Sequence, residues 1–495
     1  MSDFDLSKLA QGIETPGYAR RNLRPRLLHL GFGAFARAHW MGYHQDLLNK
    51  HPELDWGVIV TDLNYNADRF GQLEDNDLYY SVLEYSDTVD HTRVIGSILG
   101  TAHPARNGVD GFFAPFLFPD LAVVSLTVTE KGYCLAGGEL DMTNADIVHD
   151  FADPRAPLSA IGALVEALRR RRDAGLDAFT ILSLDNLPAN GKTCEKAVMS
   201  YARKLDADLA AWIERNVTFP CSMVDRIVPA LTDESRALLR ERLGFDDPNG
   251  IVGEPFRQWV IEDNFVKGRP DWDEVGAQFA ADVEPFENMK LRMLNGTHST
   301  MAYLGYLSGY ETIAETIADP DFRTLVYDAM TREIAPTVTV DADLMAYRDA
   351  LIHRYSNGML KHRTWQIAMD GSQKLPQRLL NTIRDRLEMG EPSIRLCLGV
   401  AAWMRYVSGE DENGEEIDVR DPYAERLVFL GKQAKSNPDA MAAAYLGMTE
   451  IFGEDLPNNA RFRKQVTAHL SHLLSEGAKA TVHRVVHNGE ALEEE

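Results

Sequence analysis

The sequence predicts an α/β protein in which a doubly wound parallel sheet is followed by a mostly α-helical domain. In the first half of the chain, short apolar segments rich in β-branched residues alternate with segments of helical spacing. This alternation is typical of parallel strands whose connecting helices cover both faces of the sheet. After about residue 285 strand-like segments become scarce and helical spacing dominates. We therefore expect two domains, at residues 1–285 and 286–495.

Individual segments support this division. The predicted strands are RLLHL (26–30), WGVIVTD (56–62), LAVVSLTVTE (121–130) and AFTILSLDN (178–186). Helical spacing follows at 35–49 and at 159–175, where the second helix ends on a glycine, as many helices do. In the second domain helices are predicted at 289–319, 320–335, 376–389, 395–407, 438–452 and 459–487.

Composition excludes several classes of partner. The 495 residues include 51 Lys and Arg against 75 Asp and Glu, a formal charge of −24. Such an acidic chain is a poor partner for nucleic acid or an anionic membrane. No apolar segment is long enough to span a bilayer, and the polar N-terminus does not resemble a signal peptide. We therefore expect a cytoplasmic protein that binds neither nucleic acid nor membrane.

The four cysteines do not suggest a disulfide framework or a zinc site. They are widely separated, with no C-x-x-C pair: Cys134, Cys194, Cys221 and Cys397. His483 and His487 are four residues apart on a predicted helix, but no glutamate follows His483 to complete H-E-x-x-H. We interpret the two histidines as a surface pair, and we expect no metal.

A glycine-rich segment after the first predicted strand indicates a dinucleotide site. Gly31 and Gly33 lie between a strand and a helix, and Ala36 completes the pattern G-x-G-x-x-A. In Rossmann-type domains the first glycine permits a tight turn, the second lets backbone approach a pyrophosphate, and the helix N-terminus faces the phosphates. Phe32 and Ala34 lie within this turn and are expected, with the two glycines, to bind the cofactor. Because glycine-rich turns also occur without a ligand, the pattern needs support from its surroundings.

Asp62, at the end of the next predicted strand, provides that support. A carboxylate there can accept hydrogen bonds from a ribose 2′-hydroxyl and would repel a 2′-phosphate, which favours NAD over NADP. It lies 62 − 33 = 29 residues after the second glycine, later than the usual ~20. A loop acid or helix cap remains the alternative, and nearby Arg69 weakens the argument against NADP.

Asp185 and Asn186 form a polar pair at the end of another predicted strand. Open α/β sheets bind ligands at the carboxyl ends of their strands, so both side chains are candidates to face a nicotinamide. The alternative is an Asx-turn in a loop shaped by Pro188 and Gly191.

A third polar cluster, KLRMLNGTHS (290–299), lies in the helical domain. At 100° per residue, Lys290, Asn295 and His298 lie at about 0°, 140° and 80° and share one broad helix face. A lysine can act as a general base if burial and a nearby cation bring its pKa towards neutrality. Asn295 could donate to a substrate oxygen, and His298 could hold a neighbouring hydroxyl. A snorkelling lysine, an Asn-Gly at a helix end and a core histidine are the alternative. The tyrosines offer no Tyr-x-x-x-Lys pair for the same chemistry.

Seven motifs together resemble the polyol-specific long-chain dehydrogenases, the mannitol dehydrogenase family. They are GFGAFARAH, SLTVTEKGY, SLDNLPANG, TFPCSMVDRIVP, EPFRQWVIED, KLRMLNGTHS and MDGSQKLPQR. The resemblance extends from about residue 26 to beyond 450. It is greatest to the branch that interconverts D-fructuronate and D-mannonate.

The resemblance implies a zinc-independent, NAD-linked oxidoreductase in which Lys290 is the general acid/base. It implies that Asn186 and Asn295 polarise the reacting oxygen and that His298 orients the substrate. Asp225, in SMVDRIVP, is expected near the cofactor. Relatives are often monomers, so we expect a monomer or weak oligomer.

The substrate is the part of this interpretation that stays open. Relatives that oxidise mannitol tend to carry basic residues where this chain has Met369 and Gln377, which weakens a mannitol assignment. A sugar acid needs a local cation for its carboxylate, preferably arginine. The candidates in this chain are Arg257, Arg363, Lys374 and Arg378. The alternatives are mannitol 2-dehydrogenase, another polyol or ketose oxidoreductase, and a dinucleotide-binding sensor without catalysis.

Overall fold

The structure, a computed structural model, describes residue 4 and residues 6–494. The chain divides into two compact units, Met1–Glu284 and Pro285–Glu495. The division falls one residue before the boundary expected from the sequence. Each unit is described by itself below.

The first unit contains all the strands of the described chain. They are β1 (Arg24–Leu30), β2 (Trp56–Thr61), β3 (Tyr80–Tyr85), β4 (Asp90–Ile95), β5 (Ile98–Ala102), β6 (Val123–Leu126), β7 (Leu135–Ala136), β8 (Glu139–Leu140), β9 (Thr180–Ser183), β10 (Ser222–Asp225), β11 (Ile251–Gly253), β12 (Gln258–Glu262) and β13 (Gln278–Ala280). Its helices are α1 (Ala34–Ala38), α2 (Trp40–Lys50), α3 (Ala67–Asp75), α4 (Pro104–Phe113), α5 (Thr129–Gly132), α6 (Ala145–Ala152), α7 (Ala160–Asp173), α8 (Asn190–Leu205), α9 (Ala207–Asn216) and α10 (Asp233–Leu243).

The central sheet confirms the predicted fold class. Its five strands are all parallel, in the order β5-β2-β1-β6-β9. The chain builds one side of the sheet from β1 outwards and then returns to place β6 on the other side of β1. The strand order therefore reverses between β1 and β6, and such a switch point is where open α/β sheets bind ligands.

Both faces of this sheet are buried, as expected for a doubly wound fold. Leu28 and Leu30 of β1 pack into one apolar cluster with residues of α7 and α8. Leu27, which points to the other face, packs into a second cluster with residues of α2. Because neighbouring side chains of a strand point to opposite faces, a continuous apolar segment such as RLLHL serves both layers.

Smaller sheets complete the unit and were not predicted. One has the order β10-β12-β13, another β11-β3-β4, and β7 pairs with β8. Several predicted elements are also shorter than expected. The predicted strand 121–130 ends at Leu126, because Thr129 takes a positive φ of 65° and turns the chain out of the sheet.

In the described part of the second unit the regular elements are helices, joined by loops and two isolated β-bridges. Its helices are α11 (Glu284–Met289), α12 (Thr297–Leu307), α13 (Ile313–Ala318), α14 (Pro320–Asp328), α15 (Leu344–Tyr355), α16 (Thr364–Ala368), α17 (Gly371–Leu375), α18 (Asn381–Glu388), α19 (Ile394–Val407), α20 (Ala424–Ala434), α21 (Pro438–Leu446), α22 (Thr449–Phe452), α23 (Asp455–Asn458) and α24 (Ala460–Glu494). The central pair, α12 and α19, is buried on nearly all sides. Within the described chain, no helix has the length and apolar character needed to cross a membrane.

Three segments of this unit are π-helical: Lys290–Gly296, Ala329–Ile334 and Pro376–Leu380. Two of them meet at Gly296, where a Cβ would overlap the backbone oxygen of Arg378. Single π-turns are rare and often occur at functional sites. Here two such turns, which carry several of the predicted site residues, lie against each other.

Candidate functional site

The glycine turn after β1 is held by several hydrogen bonds. Gly31 has φ +97°, and a Cβ there would overlap the carbonyl oxygen of Thr127, so only glycine fits. Its N–H donates to Thr61 O at 2.9 Å, and its own carbonyl accepts from Thr127 Oγ1 at 2.5 Å. His29 Nε2 lies 2.9 Å from the same carbonyl. The turn thus ties β1 to both neighbouring strands.

Gly33, by contrast, faces open space. Apart from its own chain neighbours, no described protein atom lies within 4 Å of the position that its Cβ would take, and Gly33 itself is exposed at the start of α1. Phe32 packs inward, with its ring centroid 5.7 Å from that of Tyr80 and 5.9 Å from that of Phe70. Phe32 can therefore offer a ligand only its backbone. Ala34, which is half-buried, begins the helix.

A cavity of about 490 Å³ opens beside this turn. Its walls come from residues 30, 31 and 33, 62–66, 127–129, 131, 132 and 134, and 158–160, together with Asp146. The volume lies within the ~300–1,000 Å³ that is usual for small-molecule and cofactor sites. The exposed glycine and the cavity together fit a pyrophosphate-containing dinucleotide at the switch point of the sheet.

Asp62 lines the cavity and also orders its loop. Its Oδ1 accepts from the backbone N–H groups of Asn64 at 3.3 Å and Tyr65 at 3.1 Å. Its Oδ2 accepts from Asn66 Nδ2 at 2.7 Å, and Asn66 Oδ1 in turn accepts from Arg69 Nε at 3.0 Å. Asp62 therefore orders its loop, which was the alternative interpretation of this residue. Contact between Asp62 and a ribose stays a prediction.

Asp185 shapes the opposite wall of the cavity. Its carboxylate accepts from Val128 N at 3.1 Å, Thr129 N at 2.9 Å and Tyr133 Oη at 2.8 Å. Burial raises the pKa of Asp185, and these three hydrogen bonds partly counter that rise. The carboxylate is thus directed at protein donors. Asp185 therefore positions the segment that bounds the cavity. This role argues against direct contact between the Asp185 carboxylate and a nicotinamide.

Asn186 follows Asp185 and is exposed at the carboxyl end of the sheet. The turn that presents it is fixed by Asn190, whose Nδ2 donates to Asp185 O at 2.9 Å and to Ser222 O at 2.8 Å. Asn190 Oδ1 accepts from Ser222 N at 2.9 Å. Sequence reasoning missed Asn190, because its partner Ser222 is distant in sequence. The adjacent Gly191 was the one sign in the sequence of close packing at this turn, since a Cβ there would overlap backbone atoms.

Two further predicted residues of the first unit lie in or next to its second sheet, Asp225 in β10 and Arg257 immediately before β12. Asp225 is buried as the last residue of β10. Arg257 forms an ion pair with Asp46, and its guanidinium lies 4.0 Å from the ring centroid of Tyr43. Those contacts give Arg257 a structural role within the first unit, which argues against the expected contact with substrate.

In the second unit, Lys290, Asn295 and His298 are all buried, with 7%, 8% and 5% of their surfaces exposed. The expected α-helical geometry is wrong for part of this segment, because residues Lys290–Gly296 form a π-helix. In a π-helix hydrogen bonds close on the fifth residue. Residues five apart, such as Lys290 and Asn295, therefore lie closer to one line along the helix than 100° spacing implies. Asn295 Oδ1 has no hydrogen-bond partner among the described residues.

His298 is buried among aromatic and cationic groups. Its ring centroid lies 5.4 Å from that of Tyr355 and 4.7 Å from that of His362. Burial, followed by the charges of His362, Arg378 and other cations, holds the pKa of His298 well below its usual value. The imidazole is therefore neutral near pH 7, and its buried Nε2 has no hydrogen-bond partner in the described chain.

Arg378 and Lys374 supply positive charge to this cluster. Arg378 Nη1 donates to Ser299 Oγ at 3.0 Å, but its buried Nε has no partner among the described residues. Burial lowers the pKa of Arg378 to about 10, and burial together with Arg378 lowers that of Lys374 to about 8. Lys374 Nζ donates to the carbonyl of Met369. In the part of the chain described, neither cation forms a salt bridge with a carboxylate.

Arg363 differs from these two cations. It forms an ion pair with Glu311, and 38% of its side chain is exposed. Such surface pairs contribute little to stability, about 0–1 kcal/mol. Of the four cations expected to bind a substrate carboxylate, the structure thus leaves only Arg378 and Lys374 without an acidic partner among the described residues.

Two aromatic residues that sequence reasoning missed extend the set of unsatisfied groups. Tyr303 Oη and Trp403 Nε1 are buried without hydrogen-bond partners in the described chain. Both atoms lie so close to Gly371 that a Cβ there would overlap them. In the sequence these two residues are indistinguishable from core aromatics, since they follow ordinary helical spacing.

Comparisons with known proteins agree with this architecture. Residues 25–274 match the mannitol dehydrogenase Rossmann domain, and residues 282–474 match the mannitol dehydrogenase C-terminal domain. The chain belongs to the mannitol dehydrogenase family. It is accordingly an oxidoreductase, and the resemblance stated from its motifs is confirmed.

Individual relatives cover almost the whole chain. D-mannonate oxidoreductase of Escherichia coli is 50% identical over 476 residues, 95% of this chain and 97% of that protein. Mannitol 2-dehydrogenase of Phaeosphaeria nodorum is 36% identical over 97% of this chain and 85% of that protein. A ternary complex of Pseudomonas fluorescens mannitol 2-dehydrogenase with NAD and D-mannitol has a TM-score of 0.87 at 35% identity, with 98% and 99% of the two chains covered.

Proposed function

We propose that this oxidoreductase catalyses the reversible, NAD-linked reduction of D-fructuronate to D-mannonate. The observation that carries the proposal is the pair Arg378 and Lys374. Both are cationic, largely buried and without a salt bridge in the described chain, and only Lys374 has acidic groups, Asp370 and Asp421, that act on its charge from a distance. Leaving such charges unpaired is costly unless a ligand supplies the counter-charge. A sugar acid supplies it, and a neutral polyol or ketose does not. The 50% identity with a D-mannonate oxidoreductase supports the same substrate.

The choice of NAD rests on the first unit. Gly33 leaves room for a pyrophosphate, and Asp62 at the end of β2 favours a free ribose 2′-hydroxyl over a 2′-phosphate. The NAD held by the similar Pseudomonas fluorescens enzyme supports this choice. When bound, the reduced dinucleotide supplies the hydride that reduces the keto carbon.

Lys290 is the proposed proton donor. In the reducing direction its ammonium group gives a proton to the oxygen on which negative charge develops, and in the oxidising direction its amine removes that proton. Its burial and its place at the start of a π-turn hold the group in a defined position. No metal is needed for this role.

The two asparagines and the histidine complete the assignment. Asn186 and Asn295 donate amide hydrogens to the developing alkoxide. The partnerless Oδ1 of Asn295 leaves that amide group able to accept from a substrate hydroxyl as well. His298, neutral and partnerless at Nε2, takes up a second hydroxyl of the substrate. The roles of Asn295 and His298 use hydrogen-bonding atoms that have no partner among the described residues.

Removal of the proposed clamp tests the substrate assignment. Arg378→Ala is expected to raise KM at least tenfold more for fructuronate than for fructose, because only fructuronate carries a carboxylate; charge-assisted hydrogen bonds contribute about 1.5–3 kcal/mol. Steady-state kinetics with fructuronate, fructose and tagaturonate, each with NADH and NADPH, measure the effect. Arg363→Ala is the matched control, because its guanidinium already pairs with Glu311. Equal effects of Arg378→Ala on fructuronate and fructose would eliminate the clamp.

Mannitol 2-dehydrogenase is the second candidate. The relatives with that activity named above are 36% and 35% identical, and the second, a solved structure, shares the fold throughout. The same assay separates the two, since a higher kcat/KM for fructose than for fructuronate in the unmodified protein would favour the polyol reaction. Met369 and Gln377, uncharged where mannitol-oxidising relatives tend to be basic, count against it.

A further inference from the structure

Three metal-binding side chains converge on the outside of the second unit. Asp321 belongs to the first turn of α14, whereas His483 and His487 lie one helical turn apart on α24. His483 Nδ1 is 2.7 Å from Asp321 Oδ2, and His487 Nε2 is 3.0 Å from Asp321 Oδ1. One potential ligand atom from each residue lies within 4.8 Å of the other two. Sequence reasoning interpreted the histidines as a surface pair, because it had no third ligand.

We propose that Asp321, His483 and His487 form a binding site for a divalent transition-metal ion such as zinc. Two imidazoles and a carboxylate are a common zinc donor set, and a water can complete the coordination. The proposal is independent of the function assigned above, since none of these residues takes part in the proposed chemistry.

The geometry is close to that of a bound ion. In a tetrahedral zinc site with bonds of ~2.0–2.2 Å, neighbouring ligand atoms lie about 3.3–3.5 Å apart. The imidazole nitrogens, now 2.7 and 3.0 Å from the carboxylate, need to move away from it by about 0.3–0.8 Å. The side chains are 65%, 53% and 30% exposed for His483, His487 and Asp321, so they can make this movement.

The surroundings hold the start of α14, and with it Asp321, in place. Asp319 Oδ1 accepts from Asp321 N at 2.9 Å, which fixes the start of α14. Nearby cations have other partners: Arg484 pairs with Glu476, and Lys479 lies over the ring of Tyr310.

A bound ion would stabilise the end of the chain. Helix α24 is interrupted at Gly477, which has φ +81°, and the two histidines lie beyond this break. An ion shared with Asp321 would therefore link the last helical segment to α14. Because an ion that binds only the folded protein stabilises it, zinc should raise the melting temperature.

Zinc binding to the untagged full-length protein tests the site. Equilibrium dialysis against zinc chloride should give one zinc per chain, with an affinity at least about tenfold weaker in His483→Ala and His487→Ala. His472→Ala is the matched control, because His472 is also a partly exposed histidine of α24 and pairs with one carboxylate, Glu476. Its zinc affinity should be unchanged.

Thermal unfolding provides the second readout. Zinc should raise the melting temperature of the unmodified protein and of His472→Ala, but not that of His487→Ala. In EDTA the unmodified protein and the variants His483→Ala, His487→Ala and His472→Ala should have the same melting temperature, which would exclude a general folding defect. An absence of zinc binding, or equal binding by His487→Ala, would overturn the site. Binding without a thermal shift would overturn the proposed link between α14 and α24.

Discussion

The polar side chains around the glycine turn and those around Lys290 are satisfied in different ways. Around the glycine turn of the first unit, the side chains of His29, Asp62 and Asp185 all have protein partners. Around Lys290 in the second unit, hydrogen-bonding atoms of Asn295 and His298 are buried without partners among the described residues.

The difference indicates what each region is built to do. A buried polar group without a partner costs about 1–3 kcal/mol, so a folded protein rarely keeps several together without a reason. The first unit supplies a rigid surface shaped by backbone, which suits a ligand recognised through its phosphates. The second supplies unsatisfied side chains, which suit a small ligand rich in hydroxyl and carboxylate oxygens.

Substitution of Lys290 is the strongest test of the difference between the two regions. Lys290→Ala is expected to lower kcat by about 10²–10⁴-fold, the usual contribution of a positioned acid or base. The affinity for NADH, measured by fluorescence titration, should stay unchanged. Lys432→Ala, an exposed lysine of the same unit, is the control. Unchanged turnover in Lys290→Ala would refute the proposed mechanism, and a non-catalytic sensor would then become the better interpretation.

Substitutions of the two glycines of the turn should affect different properties, Gly31→Ala the stability of the fold and Gly33→Ala the binding of NADH. Gly31→Ala should lower the free energy of unfolding by about 2–5 kcal/mol, because it combines a strained positive φ with an overlap on Thr127. Gly33→Ala should change stability by less than about 0.5 kcal/mol, since its φ is −76° and its surroundings are open. It should nevertheless weaken NADH binding about tenfold or more. Chemical denaturation and NADH titration measure both effects, and normal NADH affinity in Gly33→Ala would contradict the cofactor site.

Adjacent residues at the end of β9 should respond differently. Asp185→Asn places an amide where two backbone N–H groups need acceptors, and should cost about 1–3 kcal/mol of stability. Asn186→Ala should leave stability nearly unchanged but lower kcat by about 10²–10³-fold, as loss of an oxyanion donor does. Denaturation curves and steady-state rates distinguish the two. A purely structural effect of Asn186→Ala would remove it from the proposed chemistry.

The smallest expected effect is a pH dependence of substrate binding. Burial, followed by the charge of Arg378, lowers the pKa of Lys374 to about 8, so its positive charge is present below that pH and is lost above it. KM for fructuronate should therefore rise through pH 8, by at most about tenfold per pH unit, while KM for fructose should not show this rise.

Lys374→Arg serves as the control for that titration, because an arginine stays charged over the whole range. The fructuronate profile should then lose its rise near pH 8. The same rise with fructose, or its persistence in Lys374→Arg, would show that another group titrates.

The sequence by itself determined the general plan. Alternating strands and helices predicted the doubly wound sheet, and the loss of strand-like segments near residue 285 predicted the helical unit. Both predictions follow from the spacing of apolar residues along the chain, which indicates how many faces of a helix or strand are buried. The glycine turn was predictable for a similar reason, since its conformation is set by residues adjacent in sequence.

Only the tertiary structure decided which polar groups remain open. The sequence alone did not distinguish Arg257, Arg363 and Arg378 as candidates for binding a carboxylate. In the folded chain Arg257 pairs with Asp46 and Arg363 pairs with Glu311. The π-helix of Lys290 and the third ligand beside His483 were likewise invisible. Each depends on a contact between residues far apart in the chain, or on packing that overrides local helical preference. Local sequence shows which groups are available, but the folded chain decides which of them find a partner.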